Sequence, residues 1–381
     1  MPLQAIRPTT TELEAFVLQT LTASNIRTEL HRSANNNTTA GTQFPTQSWR
    51  RLGAHGFLRR FIASTYTSDT PATHFLYEDI AIAGYTMTRH HRSLGLTMTW
   101  VGQLLMCHFL RSLDNHELAC VQAILNGDAI CALAISEPKV GAHPKHLSCS
   151  AIKKRDTYII NGEKSFVSHG PYADSFIVLA ITEQTQGRKH FSAFLVPAST
   201  SGLQRMPTQS VKGLQPCSHC NIVFNDCQVP SSSLLGTPGH AFEEISLPMR
   251  TLEDSLMLAP IAGAIQAQLD HLAQASATGN KPLDRHKMGE LISFTESAKE
   301  LGIIAASKLG QYENTPNLTP LINGFRSLVD LAQASLLEWH DDYPDLRELA
   351  VDIHTLNNIG RQATAARTKS LSDDFLDEQR K

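Results

Sequence analysis

The chain has 381 residues, 41% of them hydrophobic, enough to bury the cores of two or three domains or one core flanked by helical layers. Lys and Arg total 33 against 36 Asp and Glu, a formal charge of -3, so no basic excess draws the chain to nucleic acid or anionic lipid. No segment reaches 18 apolar residues, and the start, MPLQAIRPTTTELEAF, has no secretory pattern; with an odd count of 7 cysteines this predicts a cytoplasmic protein with reduced thiols and no membrane span.

Thr11-Glu12-Leu13-Glu14 has the spacing of a capping box, and Leu13, Phe16 and Val17 follow at helical intervals, so a first helix is expected there. Residues 33–48, SANNNTTAGTQFPTQS, are polar and aperiodic and read as a loop; the acceptor pattern Asn37-Thr38-Thr39 within them reads as plain polar loop without a secretory signal. From Trp49 to about Ile130 the chain is rich in Leu, Ala and Met and reads as helices. Within it, Arg89-His90-His91-Arg92 is expected between helices as a solvated loop, with a phosphate contact as the alternative, and His108 is expected in packed core.

After Gly127-Asp128 short apolar runs, ICALAIS, DTYIING, SFIVLAI, FSAFLVP and HCNIVFND, alternate with Gly, Pro, Asn and Asp, which predicts an all-β block to about residue 236. Helical spacing returns at Phe242. Ile261, Ile265, Leu269 and Leu272 predict a long buried helix kinked near Pro260, and further helices are expected at 285–308, 325–339 and 346–366, followed by a frayed charged tail, SDDFLDEQRK. The organisation is therefore α+β: an N-terminal helical domain over 1–128, a central β domain over 129–240 and a C-terminal four-helix bundle over 241–381.

Four segments in this order carry a resemblance: GDAICALAISEP with Gly141 after it, INGEKSFVSHGPYADSFIVLA, FSAFLVP, and KGLQPCSHCNIVFNDCQVPSSSLLG. Together they resemble the acyl-CoA dehydrogenase family, covering about residues 75–272 well, the first helices loosely and the last hundred residues poorly. The resemblance implies a central barrel-like β domain and an FAD whose ring lies between it and the bundle. It implies an enzyme in which a carboxylate removes the α proton of an acyl-CoA or acyl-carrier thioester while the flavin accepts the β hydride. It further implies that Leu133, Ile135, Ser136, Phe166 and Ser168 lie at the flavin, that Gly141 and Ala142 lie on the substrate side, that an electron-accepting flavoprotein serves as partner, and that the chain forms a homo-oligomer or a hetero-oligomer with a related subunit. An isolated Phe-x-Ser would read instead as an ordinary strand and turn.

The Tyr-Glu-Gly loop that carries the base in most of the family is absent. A minority branch takes its carboxylate from the start of the first bundle helix, and Leu252-Glu253-Asp254 running on to Gln266-Ala267-Gln268-Leu269-Asp270 resembles that pattern, so Glu253 is the candidate base. The plain alternative is that Glu253 and Asp254 decorate a first helical turn, where acids favour the helix dipole.

Other positions depart from the family. Ala142 stands where a serine is usual, Phe166 where a tryptophan is, and Gln215-Pro216 displaces an arginine. The Arg-x-x-Phe-Gly segment that holds a pyrophosphate is replaced by ASATGNKPLD, leaving Lys281 as the local cation, and the glycine-rich C-terminal segment is missing. Four readings follow: a flavoenzyme with rearranged contacts, one half of a heteromeric dehydrogenase that leaves part of each site to a sister subunit, a degenerate or non-catalytic subunit of such a complex, or a flavin monooxygenase on the same fold. Cys217-Ser218-His219-Cys220 with Cys227 suggests zinc by spacing but lacks a fourth ligand, so no metal is expected.

Overall fold

The computed structural model describes residues 9–35, 44–64, 73–113, 118–207, 211–277, 283–310, 317–343, 345–359 and 361–378. Helices α1 (Thr10–Ser24), α2 (Ile26–Asn35), α3 (Thr46–Ala54), α4 (Tyr77–His91), α5 (Leu94–Leu113) and α6 (Leu118–Leu125) come first. Between α3 and α4 a short antiparallel pair, β1 (Ile62–Ser64) and β2 (Thr73–Phe75), interrupts the expected run of helices. The first cap sits two residues earlier than the sequence spacing suggested: the Thr9 side chain accepts from the Glu12 amide, and Glu12 reaches back to the Thr9 amide. Both spacings exist in TTTELE, and the earlier one lets Leu13, Val17 and Leu21 turn inward together. α2 and α3 take the two ends of the loop expected at 33–48; its middle, with the Asn37-Thr38-Thr39 pattern, lies outside the described residues.

The β block forms one eight-stranded sheet: β3 (Cys131–Ala134), β4 (Ser150–Lys154), β5 (Thr157–Ser168), β6 (Ser175–Thr185), β7 (Arg188–Pro197), β8 (Leu203–Pro207), β9 (His219–Pro230) and β10 (Leu234–Leu235). Strand order is β10-β7-β6-β4-β5-β9-β8, with β3 parallel to β6. β6 is buried continuously from Phe176 to Ala180, whereas β5 alternates. Two irregularities in the β5–β9 register, between Ile160 and Gly162 and between Lys164 and Val167, bend the strand where its functional residues lie.

The rear helices are α7 (Leu247–Leu256), α8 (Leu258–Ala277), α9 (Arg285–Leu309), α10 (Thr319–Leu336), α11 (Asp345–Asn358) and α12 (Arg361–Glu378). The expected long helix is α8, separated from α7 at Met257, and Pro260 lies in its first turn, where a proline's missing amide costs little. α10 starts six residues earlier than expected. The single last helix predicted over 346–366 is two helices, and the tail continues helical to Glu378 rather than fraying. Gly263 lets α8 close on α4: a Cβ there would lie 2.4 Å from the Tyr85 carbonyl oxygen. An aromatic cluster, with Trp100 centred 5.0 Å from Phe61 and 5.3 Å from Phe57, fills the space behind α5. The Gln103 amide clamps Cys131 at both backbone atoms, each bond 2.9 Å, and so ties β3 to α5.

Candidate active site between the sheet and the rear helices

Ser136 ends the segment that leaves β3. The next residue, Glu137, closes a tight loop by exchanging backbone bonds with Gly141 at 2.9 and 3.0 Å. Gly141 and Ala142 are exposed at its tip. The Ser165 amide donates to the Ser136 carbonyl at 2.8 Å, which brings the AISEP turn beside the bulged end of β5. Leu133 and Ile135 are half-buried in the approach to that turn.

Phe166 is the outlier of the segment. It has φ of 53° and remains 54% exposed, an unusual state for a bulky aromatic within a strand. The bulge between Lys164 and Val167 produces this state by turning Phe166 outward while Lys164 and Ser165 both face in. Ser168 lies two residues on, opposite His219 in β9. Ser136 and Phe166 therefore share a rim, with Ser168 at its inner end.

Behind that rim lies a packed seam. Cys217 is buried with its thiol 3.6 Å from His169 Nδ1, and the Thr99 and Ser168 hydroxyls lie against it. Burial, with Glu253's charge adding, pushes the Cys217 thiol up to about 12, while burial pushes the His169 imidazole down to about 3, so both are neutral at physiological pH. Cys217 thus meets Ser168 from β5, Thr99 from α5 and the field of Glu253 from α7.

Glu253 lies in the last turn of α7, which rules out the plain reading of a first-turn acid favoured by the helix dipole. It lines a small recess shared with Arg250, Asp254, Met257, Ile261, Arg326 and Ile359. Burial holds its carboxyl above the usual range and Asp254 adds to this, against the opposing pull of Arg250. Asp254 lines the same recess and is held in ion pairs. Its side chain is 2.5 Å from Arg250, 3.1 Å from Arg367 and 3.8 Å from Arg326, joining α7, α12 and α10.

The loop leading into β9 is held from two sides. Leu214 donates its amide to Asp352 of α11 at 2.6 Å, and Thr355 donates to the Lys212 carbonyl at 2.9 Å. On the other side a Cβ at Gly95 would fall 1.9 Å from the Leu214 carbonyl oxygen, so only glycine lets α5 touch the loop. Gln215-Pro216 sits in this loop, where Ser93 donates to the Gln215 carbonyl at 3.1 Å.

Several residues outside the sequence-predicted set belong to this site: Thr99, Glu137, Lys164, His169, Cys217 and Asp352. Lys164 carried a signal, because period-2 alternation from Ile160 places it on the buried face, where an ammonium demands a partner. Arg89-His90-His91 ends α4 instead of forming a loop, and Arg89 forks onto Asp270 at 2.7 and 3.1 Å. His108 is largely shielded, and burial lowers its pKa to about 4. Lys281 lies outside the described residues. The cysteines are free thiols. Among the described residues no helix is long and apolar enough to cross a membrane.

Residues 132–227 match the family model described as acyl-CoA dehydrogenase, middle domain. The short-chain specific acyl-CoA dehydrogenase of Mus musculus is 29% identical over 269 residues, covering 68% of this chain and 64% of that protein. Butyryl-CoA dehydrogenase from Megasphaera elsdenii has the same fold, with a TM-score of 0.74 at 16% identity over 95% of this chain and 98% of that one. The prolyl acyl carrier protein oxidase AnaB aligns with a TM-score of 0.76 at 19% identity, over 96% of this chain and 100% of that one. Residues 132–227 thus match the middle domain of the acyl-CoA dehydrogenase family, and the whole chain shares the fold of that family's solved structures. In sequence it spans 54% and 64% of the lengths of two short-chain relatives it matches, from Rattus norvegicus and Mus musculus.

Proposed function

We propose that the chain is an FAD-dependent α,β-dehydrogenase of an acyl thioester, with Glu253 as its base. One observation carries this reading: Cys217 lies against the Ser168 hydroxyl on the sheet side and its thiol feels the charge of Glu253 on the helical side, so both halves of the expected site act on one seam. The rim fits the ring end of a flavin. An outward-facing aromatic held at positive φ offers a wall, and the Ser136 and Ser168 hydroxyls beside it are donors for a polar ring edge. The donor set for a pyrophosphate includes no guanidinium in the segment between α8 and α9 before Arg285.

When bound, FAD supplies the acceptor for the β hydride. The protein's own part is proton chemistry and exclusion of water. Burial makes the Glu253 carboxylate more basic than an exposed one, which suits removal of a weakly acidic α proton. The proton goes to the Glu253 carboxylate as the α,β double bond forms. Met257, Leu258 and Ile261 line the same recess beside the charged Arg250, Asp254 and Arg326, and offer its apolar wall to the acyl chain. Gly141 and Ala142, exposed at the loop tip, face the thioester handle. That handle is coenzyme A or a carrier protein, in line with the acyl-CoA dehydrogenases and the acyl carrier protein oxidase among the relatives.

An electron-accepting flavoprotein would reoxidise the cofactor, the chain would assemble as an oligomer, and the odd set of thiols suits a reducing cytoplasm. A second reading, a non-catalytic subunit, is favoured by the seam itself, where Cys217 and His169 already fill the space beside α5. A spectrum separates the two. The purified protein is expected to be yellow, and Glu253→Gln is expected to keep the colour while losing bleaching by acyl thioesters. A colourless protein that takes up no added FAD, alone or mixed with a related subunit, would overturn the enzyme reading.

A further inference from the structure

Lys164 and Glu137 form an ion pair inside the β block, their side chains 1% and 4% exposed and the Nζ to Oε1 distance 3.0 Å. The ammonium also donates to the Ile135 carbonyl at 3.0 Å. Glu137 collects further bonds from the Ser148 amide and hydroxyl, each at 2.7 Å, and from the Cys149 amide at 2.9 Å. Although burial pushes the Glu137 carboxyl up, Lys164, the Cys149 amide and the Ser148 hydroxyl together hold it below the usual range, so it stays ionised.

A buried pair of this kind is a weak source of stability, because two apolar side chains in its place commonly serve as well. What it does is fix geometry. Glu137 follows Ser136 directly, Lys164 lies two residues before Phe166, and the only backbone bond described between these two segments runs from the Ser165 amide to the Ser136 carbonyl. The pair and that bond span the same gap. Ser148 and Cys149 brace the carboxylate from a third segment, the one that leads into β4.

We propose that Glu137 and Lys164 are positioning residues, whose ion pair sets the spacing between Ser136 on one segment and Phe166 and Ser168 on the other, and so the width of the cofactor rim. The inference rests on the flavin reading above, but its first readout needs no flavin. In the double variant Glu137→Gln/Lys164→Met both charges go together, so no lone buried charge remains and the thermal midpoint should stay close to that of the parent. Hydrogen exchange at the Ser165 amide in the cofactor-free protein should nevertheless accelerate about tenfold, and FAD affinity should fall about tenfold, the scale on which supporting contacts tune a bound group. A merely structural pair would lower the thermal midpoint and leave FAD affinity untouched; that pattern, or parental exchange at Ser165, overturns the proposal. Should the double variant not fold, Ser148→Ala removes one brace from Glu137, and a smaller acceleration of exchange at Ser165 supports the proposal while unchanged exchange and affinity refute it. If the parent protein binds no FAD, the flavin reading fails, and exchange at Ser165 still decides whether the pair holds the two segments in register.

Discussion

Phe166 shows what a single residue gives up for a site. Its φ of 53° is one that a bulky side chain adopts at a cost of roughly 1–3 kcal/mol, and with half its surface exposed it recovers little of that by packing. Phe166→Gly should therefore raise the stability of the cofactor-free protein by about 1 kcal/mol while weakening FAD binding. Denaturant unfolding and FAD titration on the same preparation check both halves, and a variant that is less stable would show that the aromatic is part of the core. The sequence pointed to Phe166 and Ser168 through the order of neighbouring residues, and the positive φ at Phe166 was not visible there because it arises from a bulge set by β9. Lys164 was readable by alternation, but its partner Glu137 lies 27 residues away and follows only from the strand pairing.

Among the elements, α11 shows a joint that no local pattern announces. Asp352 sits where its carboxylate accepts the Leu214 amide, and burial raises its pKa from 3.8 to about 6 against the pull of that bond. Between those two values the folded chain holds a proton that the unfolded chain has released, so stability contributed by this group falls as pH rises through that window and is level on either side. Asp352→Asn keeps an oxygen for the Leu214 amide and removes the titration. Its thermal midpoint should exceed the parent's at pH 7, with the difference vanishing near pH 4; a constant difference across that range would place the titration elsewhere. Helix 346–366 was expected as one piece because apolar Leu346, Leu349 and Ile353 continue a regular stripe. The chain turns after Asn358 instead, and the Ile359 carbonyl accepts from Arg250, a contact made only once α7 and α11 are packed together.

At the scale of the whole molecule, Asp254 gathers α7, α10 and α12 through three guanidiniums, and Glu253, its neighbour, lines the same recess. Asp254→Ala leaves those cations without their shared carboxylate, and stability should drop by about 3 kcal/mol, the range for breaking a shielded pair. Removing this charge also removes one cause of the raised Glu253 pKa, so the ionisation of the base should move to lower pH. Thermal unfolding and the pH profile of thioester-driven flavin reduction test the two effects separately. The succession of helices, sheet and helices was legible from the sequence, because hydrophobic period and turn residues are local properties that each segment carries by itself. Glu253 was offered as the candidate base by the resemblance of its segment to a family pattern. The seam of Thr99, His169 and Cys217, the Glu137–Lys164 pair and the three arginines on Asp254 were decided by tertiary structure alone. Each joins residues far apart in the chain, and a charge or thiol acquires its environment only when segments distant in sequence exclude water around it.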